Sequence, residues 1–315
     1  MSKEKQQRIS NGVKILVTGG AGFIGSHLVD SLVKEGHQVL VVDDLSTGRE
    51  EYINRQARFV QFDIRDQKLG NVLADFMPDI VYHLAAQKNV RISLENPILD
   101  AEINILGALN VLNQSIENKV KKFIFVSTCG IYGDTDQLPT TEEGPEQALS
   151  PYILNKLTFE KYLSILGQDK IKWTAIRLSN VYGPRQDPYG EAGVVAIFLD
   201  NAIKDKILYI NGDGQQTRDF IYVADAVNAL VGSMEKLEGI YNVGTGTETS
   251  ILDLIETIKV VSAKKLKVEN KPAIVGEVQR SCLNAGKAVS ALQWQTQYDL
   301  KQGIELTYRW FKENK

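Results

Sequence analysis

The chain has 315 residues, 36 basic against 39 acidic side chains, a formal charge of −3 and a pI near 5.8, which leaves no global basic field for a nucleic-acid partner. Two cysteines, Cys129 and Cys282, are too few for a disulfide framework, the first dozen residues are polar, and no run approaches the roughly 18 apolar residues of a membrane span. Together these features predict a cytoplasmic protein with a frayed N-terminus, no signal peptide, no membrane attachment and no metal cluster, long enough for one large domain and a smaller second lobe.

The stretch Val-Lys-Ile-Leu-Val-Thr-Gly-Gly-Ala-Gly-Phe-Ile-Gly, residues 13 to 25, reads as an apolar strand running into a turn with Gly19, Gly22 and Gly25 three residues apart. Small residues there let backbone approach a pyrophosphate, and a helix opening near Phe23 offers unpaired N–H groups and a positive dipole end. The spacing Gly-x-x-Gly-x-x-Gly differs from the usual Gly-x-Gly-x-x-Gly, and alone it is equally a structural turn. Helical spacing over Phe23 to Lys34, a stop at Gly36 and a strand over Gln38 to Val42 complete a first strand–helix–strand unit. That strand ends in Asp43-Asp44, roughly 20 residues past the glycines, where an acid can accept hydrogen bonds from an adenosine ribose and repel a 2′-phosphate, favouring NAD over NADP.

Further short strands are predicted at Arg58 to Phe62, Ile80 to Leu84, Phe123 to Val126 and Trp173 to Leu178, with helical patterns between them, including Ile98 to Ser115 and Pro151 to Leu166. This alternation predicts an α/β fold, a Rossmann-type doubly wound parallel sheet covered on both faces. Asp63-Ile64 and Ala85-Ala86-Gln87 fall at strand C-terminal ends, where such sheets bind ligands. Beyond Asn180 a turn-rich stretch, a helical run from Gly193, a strand at Ile207 to Ile210 and helices at Val223 to Met234, Ile251 to Val261 and Gly286 to Leu292 suggest a smaller C-terminal substrate-binding lobe. The expected division is 13–180 for the nucleotide domain and 181–315 mainly for the lobe, with roughly 217–245 packing back on the first.

Tyr152 and Lys156 stand four apart at the start of a helical pattern and so share one face, with Pro151 in the first turn and Ser150 as cap. A free tyrosine, with a pKa of about 10, is a poor base at neutral pH; a nearby ammonium and a positively charged nicotinamide ring both favour its phenolate. The pair can thus supply a general base for an alcohol proton, although Tyr and Lys at this spacing are also ordinary on amphipathic helices. Ser127-Thr128-Cys129-Gly130-Ile131-Tyr132-Gly133 follows the fifth strand, where a hydroxyl can meet a substrate hydroxyl and the tyrosine oxygen together.

From Val13 to Trp310 the sequence resembles the extended short-chain dehydrogenase/reductases, in the nucleotide-sugar epimerase branch. The resemblance is carried by the joint order of Thr18-Gly-Gly-Ala-Gly-Phe-Ile-Gly-Ser-His27, Val42-Asp-Asp-Leu-Ser-Thr-Gly48, His83-Leu-Ala-Ala-Gln87, Ser150-Pro-Tyr-x-x-x-Lys156, Arg177-x-x-Asn-Val-Tyr-Gly-Pro-Arg-Gln186, Thr217-Arg-Asp-Phe-Ile-Tyr-Val223 and Tyr241-Asn-Val-Gly244. It implies an isomerase that epimerises a UDP-hexose at C4 through transient oxidation by NAD. Gly19, Gly22, Phe23, Ile24, Gly25, Asp43, Asp44, Asp63, Ile64, Ala85, Gln87, Asn104, Tyr152 and Lys156 would surround NAD. Tyr152, Lys156 and Thr128 would be the catalytic trio. Asn180 and Arg218 would meet the substrate diphosphate, the backbone of Tyr209 and Asn211 the uracil, and Glu277 the uridine ribose; Lys88 and Val194 would also line the substrate. A homodimer is implied, with the helices around Ile105 and Phe159 pairing into a four-helix bundle.

Departures from the family pattern sharpen the expectation. Many relatives carry an arginine two residues before the Gly-acid pair, where this chain has Ile274 before Gly276-Glu277, so one phosphate contact is missing. Dehydrating relatives carry Asp-Glu after the fifth strand, whereas Cys129-Gly130 stands here. The small Ser281, at the place that gates the sugar 2-substituent, leaves room for UDP-GlcNAc and UDP-GalNAc beside the plain sugars. Alternatives are a reductase or 3,5-epimerase using Cys129 as an acid, and a silent NAD-binding regulator on the same fold, which would lose Tyr152, Lys156 or the hydroxyl.

Overall fold

A computed structural model of the chain describes residues 12–189, 193–236, 238–274 and 276–314. The frayed N-terminus expected for the first dozen residues lies outside these, Gly12 apart. The chain forms two compact units. The first comprises the chain up to Ser127, Ser150–Ile176 and Leu230–Ile240; the second comprises Thr128–Leu149, Arg177–Ala229 and the chain from Tyr241. Within the span 13–180 read as one domain, Thr128–Leu149 and Arg177–Asn180 therefore go with the second unit, and of 217–245 only Leu230–Ile240 goes with the first.

The first unit is organised by a seven-stranded sheet. The sheet's strands are β1 (Lys14–Thr18), β2 (Gln38–Asp43), β3 (Arg58–Gln61), β4 (Ile80–His83), β5 (Lys122–Thr128), β6 (Lys172–Leu178) and, later in the chain, β11 (Gly239–Val243), in the order β11-β6-β5-β4-β1-β2-β3, the last residues of β5, β6 and β11 belonging to the second unit. The run β3-β2-β1-β4-β5 is parallel throughout. Strands β1 and β4 are buried along nearly their whole length because helices cover both faces, so β1 runs continuously apolar from Ile15 to Val17 rather than alternating. Leu16, Val81, Phe123 and Phe125 form the core with Leu112, Phe159 and Leu163 from the covering helices. Each such side chain contributes about 1.5–3 kcal/mol by leaving water. The chain steps outward from β1 to β3 and then restarts at β4 beside β1, so the crevice expected at the C-terminal ends of an open sheet lies there.

Helices of this unit are α1 (Phe23–Lys34), α2 (Leu69–Phe76), α3 (Val90–Glu95), α4 (Pro97–Ala101), α5 (Ala108–Glu117) and α6 (Pro151–Gly167). Helix α1 ends where the spacing predicts, with Gly36 just beyond it in the left-handed region at φ 85°. The single helix predicted around Ile98 to Ser115 is instead α4 and α5 joined by a π-helical turn over Glu102–Gly107, a local widening invisible to apolar periodicity.

The second unit contains β7 (Asn180–Tyr182), β8 (Ile207–Asn211), β9 (Thr217–Arg218), β10 (Phe220–Tyr222), β12 (Thr249–Ser250) and β13 (Lys267–Lys271), paired as β7–β10, β8–β13 and β9–β12. Its helices are α7 (Val194–Ile203), α9 (Ile251–Ser262), α10 (Gly286–Leu292) and α11 (Leu300–Glu313); α8 (Val223–Lys236) continues into the first unit. Helices α7, α9 and α11 pack on one another. The sequence reading lacked α11, although an Asp299–Gln302 capping box opens it and Ile304, Thr307 and Phe311 mark its buried face. No described helix is long and apolar enough to cross a membrane, and the described residues contain no metal-holding group of His, Cys, Asp and Glu.

Candidate active site

In the first unit, Gly19 leaves β1 with φ 71°, and a Cβ there would come within 2.6 Å of the Ala85 nitrogen. A side chain at Gly25 would meet the Gly19 carbonyl at 2.1 Å. The loop is thus closed down between β1, α1 and the end of β4, and only glycine satisfies both positions. Helix α1 begins at Phe23 behind an extended Gly22 that offers no side-chain cap, so the first-turn N–H groups of α1, Ile24 and Gly25 included, present the positive dipole end that a pyrophosphate requires. These residues fit a dinucleotide.

Asp43 ends β2 buried, its carboxylate accepting from Ala21 N at 3.0 Å and Leu45 N at 2.9 Å, and burial raises its pKa. It ties the strand end to the glycine loop. Asp44 is exposed and turns back to Ser46, accepting from its N–H at 2.9 Å. Asp63 is held by Arg65 at 2.6 Å, which lowers its pKa, while Ile64 beside it is buried in the core.

After β4, Gln87 and Asn104 bind each other through the main chain. Gln87 N donates to Asn104 Oδ1 at 3.0 Å and Asn104 Nδ2 to the Gln87 carbonyl at 2.8 Å. The π-helical turn carries Asn104. Lys88 is exposed. Asp100, which sequence reasoning missed, is fully buried and accepts from Gln87 Nε2 at 2.6 Å, Asn104 Nδ2 at 3.0 Å and Asn155 Nδ2 at 2.6 Å. Its one sequence signal is an acid four residues before Asn104 on an otherwise apolar helix face.

Ser150 caps α6 through Ile153 N, as its sequence predicts, and places Tyr152 in the first turn and Lys156 one turn on. Lys156 is 4% exposed, and its ammonium donates to the Val126 carbonyl at 3.0 Å and lies 4.6 Å from the centre of the Phe125 ring. Burial pushes its pKa down to about 8, while Asp100 and Glu160 pull the other way. His83, fully buried and bonded to Thr18 Oγ1 at 2.8 Å, is pushed down to about 3 by burial and by Lys156, so it is a neutral packing group. A cavity of about 390 Å³ lined by Lys14, His37, Arg58 and Phe76 lies instead at the N-terminal ends of β1 to β3, opposite the glycine loop.

The second unit begins with Thr128, whose Oγ1 accepts from Gly130 N at 3.2 Å at the start of the short turn Cys129–Tyr132. Cys129 lies within hydrogen-bonding contact of Ser281 and Thr128, and burial raises its thiol pKa. Arg218 and Glu277, read as contacts for different parts of one substrate, meet each other: Arg218 Nη2 donates to Glu277 Oε1 at 3.0 Å, and burial lowers the guanidinium pKa. Asp219, also absent from the sequence reading, is fully buried and accepts from Thr245, Gly246 and Leu283, fixing the backbone beside Arg218. Asn180 stands on β7, and its buried Oδ1, like Gln186 Oε1, has no hydrogen-bond partner among the described residues. Tyr209 on β8 exposes its ring beneath the Lys271 ammonium at 3.7 Å, Asn211 ends the same strand, and Val194 opens α7.

The model of the NAD dependent epimerase/dehydratase family matches residues 15–244. A putative UDP-glucose 4-epimerase of Methanocaldococcus jannaschii is 44% identical over 95% of this chain and 99% of its own. The crystal structure of UDP-glucose 4-epimerase with UDP-glucose from Thermotoga maritima superposes with a TM-score of 0.94 at 42% identity, covering 96% of this chain and 99% of that one. A UDP-N-acetylglucosamine 4-epimerase from Methanobrevibacter ruminantium, in complex with UDP-N-acetylmuramic acid, gives 0.92 at 31% identity over 97% of this chain and 100% of that one. With the glycine loop, the Tyr152–Lys156 helix and these likenesses together, the chain belongs to the NAD dependent epimerase/dehydratase family.

Proposed function

We propose that the protein is an isomerase that inverts C4 of a UDP-hexose, interconverting UDP-glucose and UDP-galactose and, with the small Ser281, UDP-GlcNAc and UDP-GalNAc. The observation that carries this reading is the Tyr152–Lys156 pair, with its buried ammonium, in the same unit as the uncapped α1 terminus behind the glycine loop. The glycine loop, Asp43 and Lys156 would hold NAD, which when bound would supply a reversible hydride acceptor for C4 with no net redox change. Tyr152, as phenolate, takes the proton of the C4 hydroxyl and returns it after the keto sugar has turned over. The Lys156 charge favours that phenolate. Thr128 donates to the reacting oxygen and steadies its developing charge. Arg218 and Asn180 hold the diphosphate, Tyr209, Asn211 and Glu277 hold the uridine, and Val194 and Lys88 line the sugar.

Elimination of the sugar 6-hydroxyl has no acid to drive it, because Cys129-Gly130 follows Thr128. Cys129 stays a neutral thiol, its pKa raised by burial. We also read the molecule as a cytoplasmic homodimer. Ile98, Leu106, Leu154 and Ile165 are 72%, 60%, 52% and 68% exposed on α4, the π-helical turn and α6, apolar surface that a second copy would cover. Light scattering that gives a monomer at working concentration removes the dimer.

The function is tested with UDP-glucose and UDP-GlcNAc carrying deuterium at C4. Product NMR is expected to show the C4 epimer with the label retained. Solvent hydrogen at C4, or a purified protein that binds no nicotinamide dinucleotide, overturns the reading.

A further inference from the structure

Three segments of the first unit converge on one buried carboxylate. The loop after β4 sends Gln87, the π-helical turn sends Asn104, and α6 sends Asn155, and all three side-chain amides donate to Asp100 at 2.6 to 3.0 Å. Asp100 is 0% exposed, so its charge is removed from bulk solvent and is held by these donors. Asn155 stands between Tyr152 and Lys156 on the same helix. The two Asp100 oxygens divide the work: Oδ1 takes Gln87 and Asn104, which also bind each other through the main chain, and Oδ2 takes Asn155. The carboxylate therefore joins the residues read as flanking NAD to the helix that carries the base.

We propose that Asp100 is a positioning residue for the epimerase reaction, its two oxygens locking Gln87 and Asn104 on one side and the Tyr152–Lys156 helix on the other into a single register. The proposal rests on the 4-epimerase reading for its kinetic consequences but not for its effect on cofactor retention. Fully buried, Asp100 acts through Asn104, Gln87 and Asn155. Its charge also reaches Lys156. The groups facing that ammonium are Asp100 from α4, Glu160 from α6, neutral His83 from β4, and the Phe125 ring and Val126 carbonyl from β5. Of these, Asp100 and Glu160 favour the charged form.

The geometry separates register from charge. In Asp100→Asn the new Oδ1 still accepts from Gln87 and Asn104, and a flip of the Asn155 amide lets it accept from the new Nδ2, so the bonds survive and the charge goes. In Asn155→Ala the charge stays and only the link to α6 goes, in a helix that tolerates alanine well. Asn155→Ala is expected to lower kcat about tenfold or more with KM for the UDP-sugar unchanged, since a displacement of about 1 Å at the reacting groups costs up to about a hundredfold. Asp100→Asn is expected to keep its NAD and move the alkaline limb of the kcat profile to lower pH, because Lys156 loses one of its two acids. The double variant Asp100→Asn/Asn155→Asp puts a carboxylate back against the amide and is expected to return that limb towards the wild-type position. Asp100→Ala is expected to purify with less NAD than wild type, read from absorbance after denaturation. Wild-type kcat in Asn155→Ala together with a wild-type pH limb in Asp100→Asn overturns the proposal, as does full NAD content in Asp100→Ala. An active-site reading that is itself wrong shows differently, as wild-type protein that turns over no UDP-sugar while the NAD difference between wild type and Asp100→Ala persists.

Discussion

The two units hold their polar side chains in opposite ways. In the first, Asp43, Asp100, Gln87, Asn104 and Lys156 are each bonded within the unit, with the buried Ser127 Oγ left over at the end of β5. In the second, the buried Ser179 Oγ, Asn180 Oδ1 and Gln186 Oε1 have no hydrogen-bond partner among the described residues, and Arg218 and Glu277 neutralise each other. A buried polar atom without a partner costs about 1–3 kcal/mol. The second unit therefore carries the larger share of that cost, with these three atoms against the one at Ser127 in the first.

The sharpest way to break that contrast is at Tyr152, the proposed base. Tyr152→Phe keeps the ring and removes the proton acceptor, so kcat is expected to fall about a thousandfold, within the range of general acid–base catalysis, while NAD content and the melting temperature stay put. Near-normal turnover removes Tyr152 from the role. On the other unit, Arg218→Ala is expected to raise KM for the UDP-sugar about ten- to a hundredfold, the scale of a charge-assisted hydrogen bond, with kcat changed far less. An equal fall in kcat with KM unmoved would mean that Arg218 acts in the transition state rather than in anchoring.

Much of this architecture is legible in the sequence for a physical reason. Strands β1 and β2 are buried along nearly their whole length and so read as Val/Ile/Leu runs, and the glycine turn and the Ser150 cap are local backbone requirements. What stays hidden is non-local. Asp100 and Asp219 look like solvated acids in sequence, and only the fold brings 55 residues of separation to a 2.6 Å bond between Asp100 and Asn155. The two-residue strands β9 and β12 have no periodicity to show, and the Arg218–Glu277 pair spans 59 positions.

Ser281 sharpens the comparison from the substrate side. Ser281→Tyr fills the space beside Cys129 and is expected to abolish turnover of UDP-GlcNAc while leaving UDP-glucose within a few-fold of wild type, measured in parallel by product NMR. Equal loss on both sugars would place Ser281 outside the 2-substituent's reach.

The smallest expected effect probes a buried charge of the first unit. Lys156 is pushed down to about 8 by burial from an ordinary 10.5, so the fold disfavours the ammonium. The sign follows directly: below about pH 8 both folded and unfolded chains hold the proton and the cost is felt in full, and between about 8 and 10.5 the unfolded chain binds more protons, so the cost fades as pH rises. Lys156→Met removes the charge but also the bond to the Val126 carbonyl and the contact with Phe125, so the net gain is modest. At pH 7, without ligands, the variant is expected to melt about 2 °C higher than wild type, roughly 1 kcal/mol in a chain of this size, and to be catalytically dead. Scanned from pH 7 to 10, the wild-type protein should close that gap. A variant that melts lower than wild type at pH 7, with no convergence at pH 10, would mean that the ammonium is held by its surroundings rather than tolerated for its chemistry.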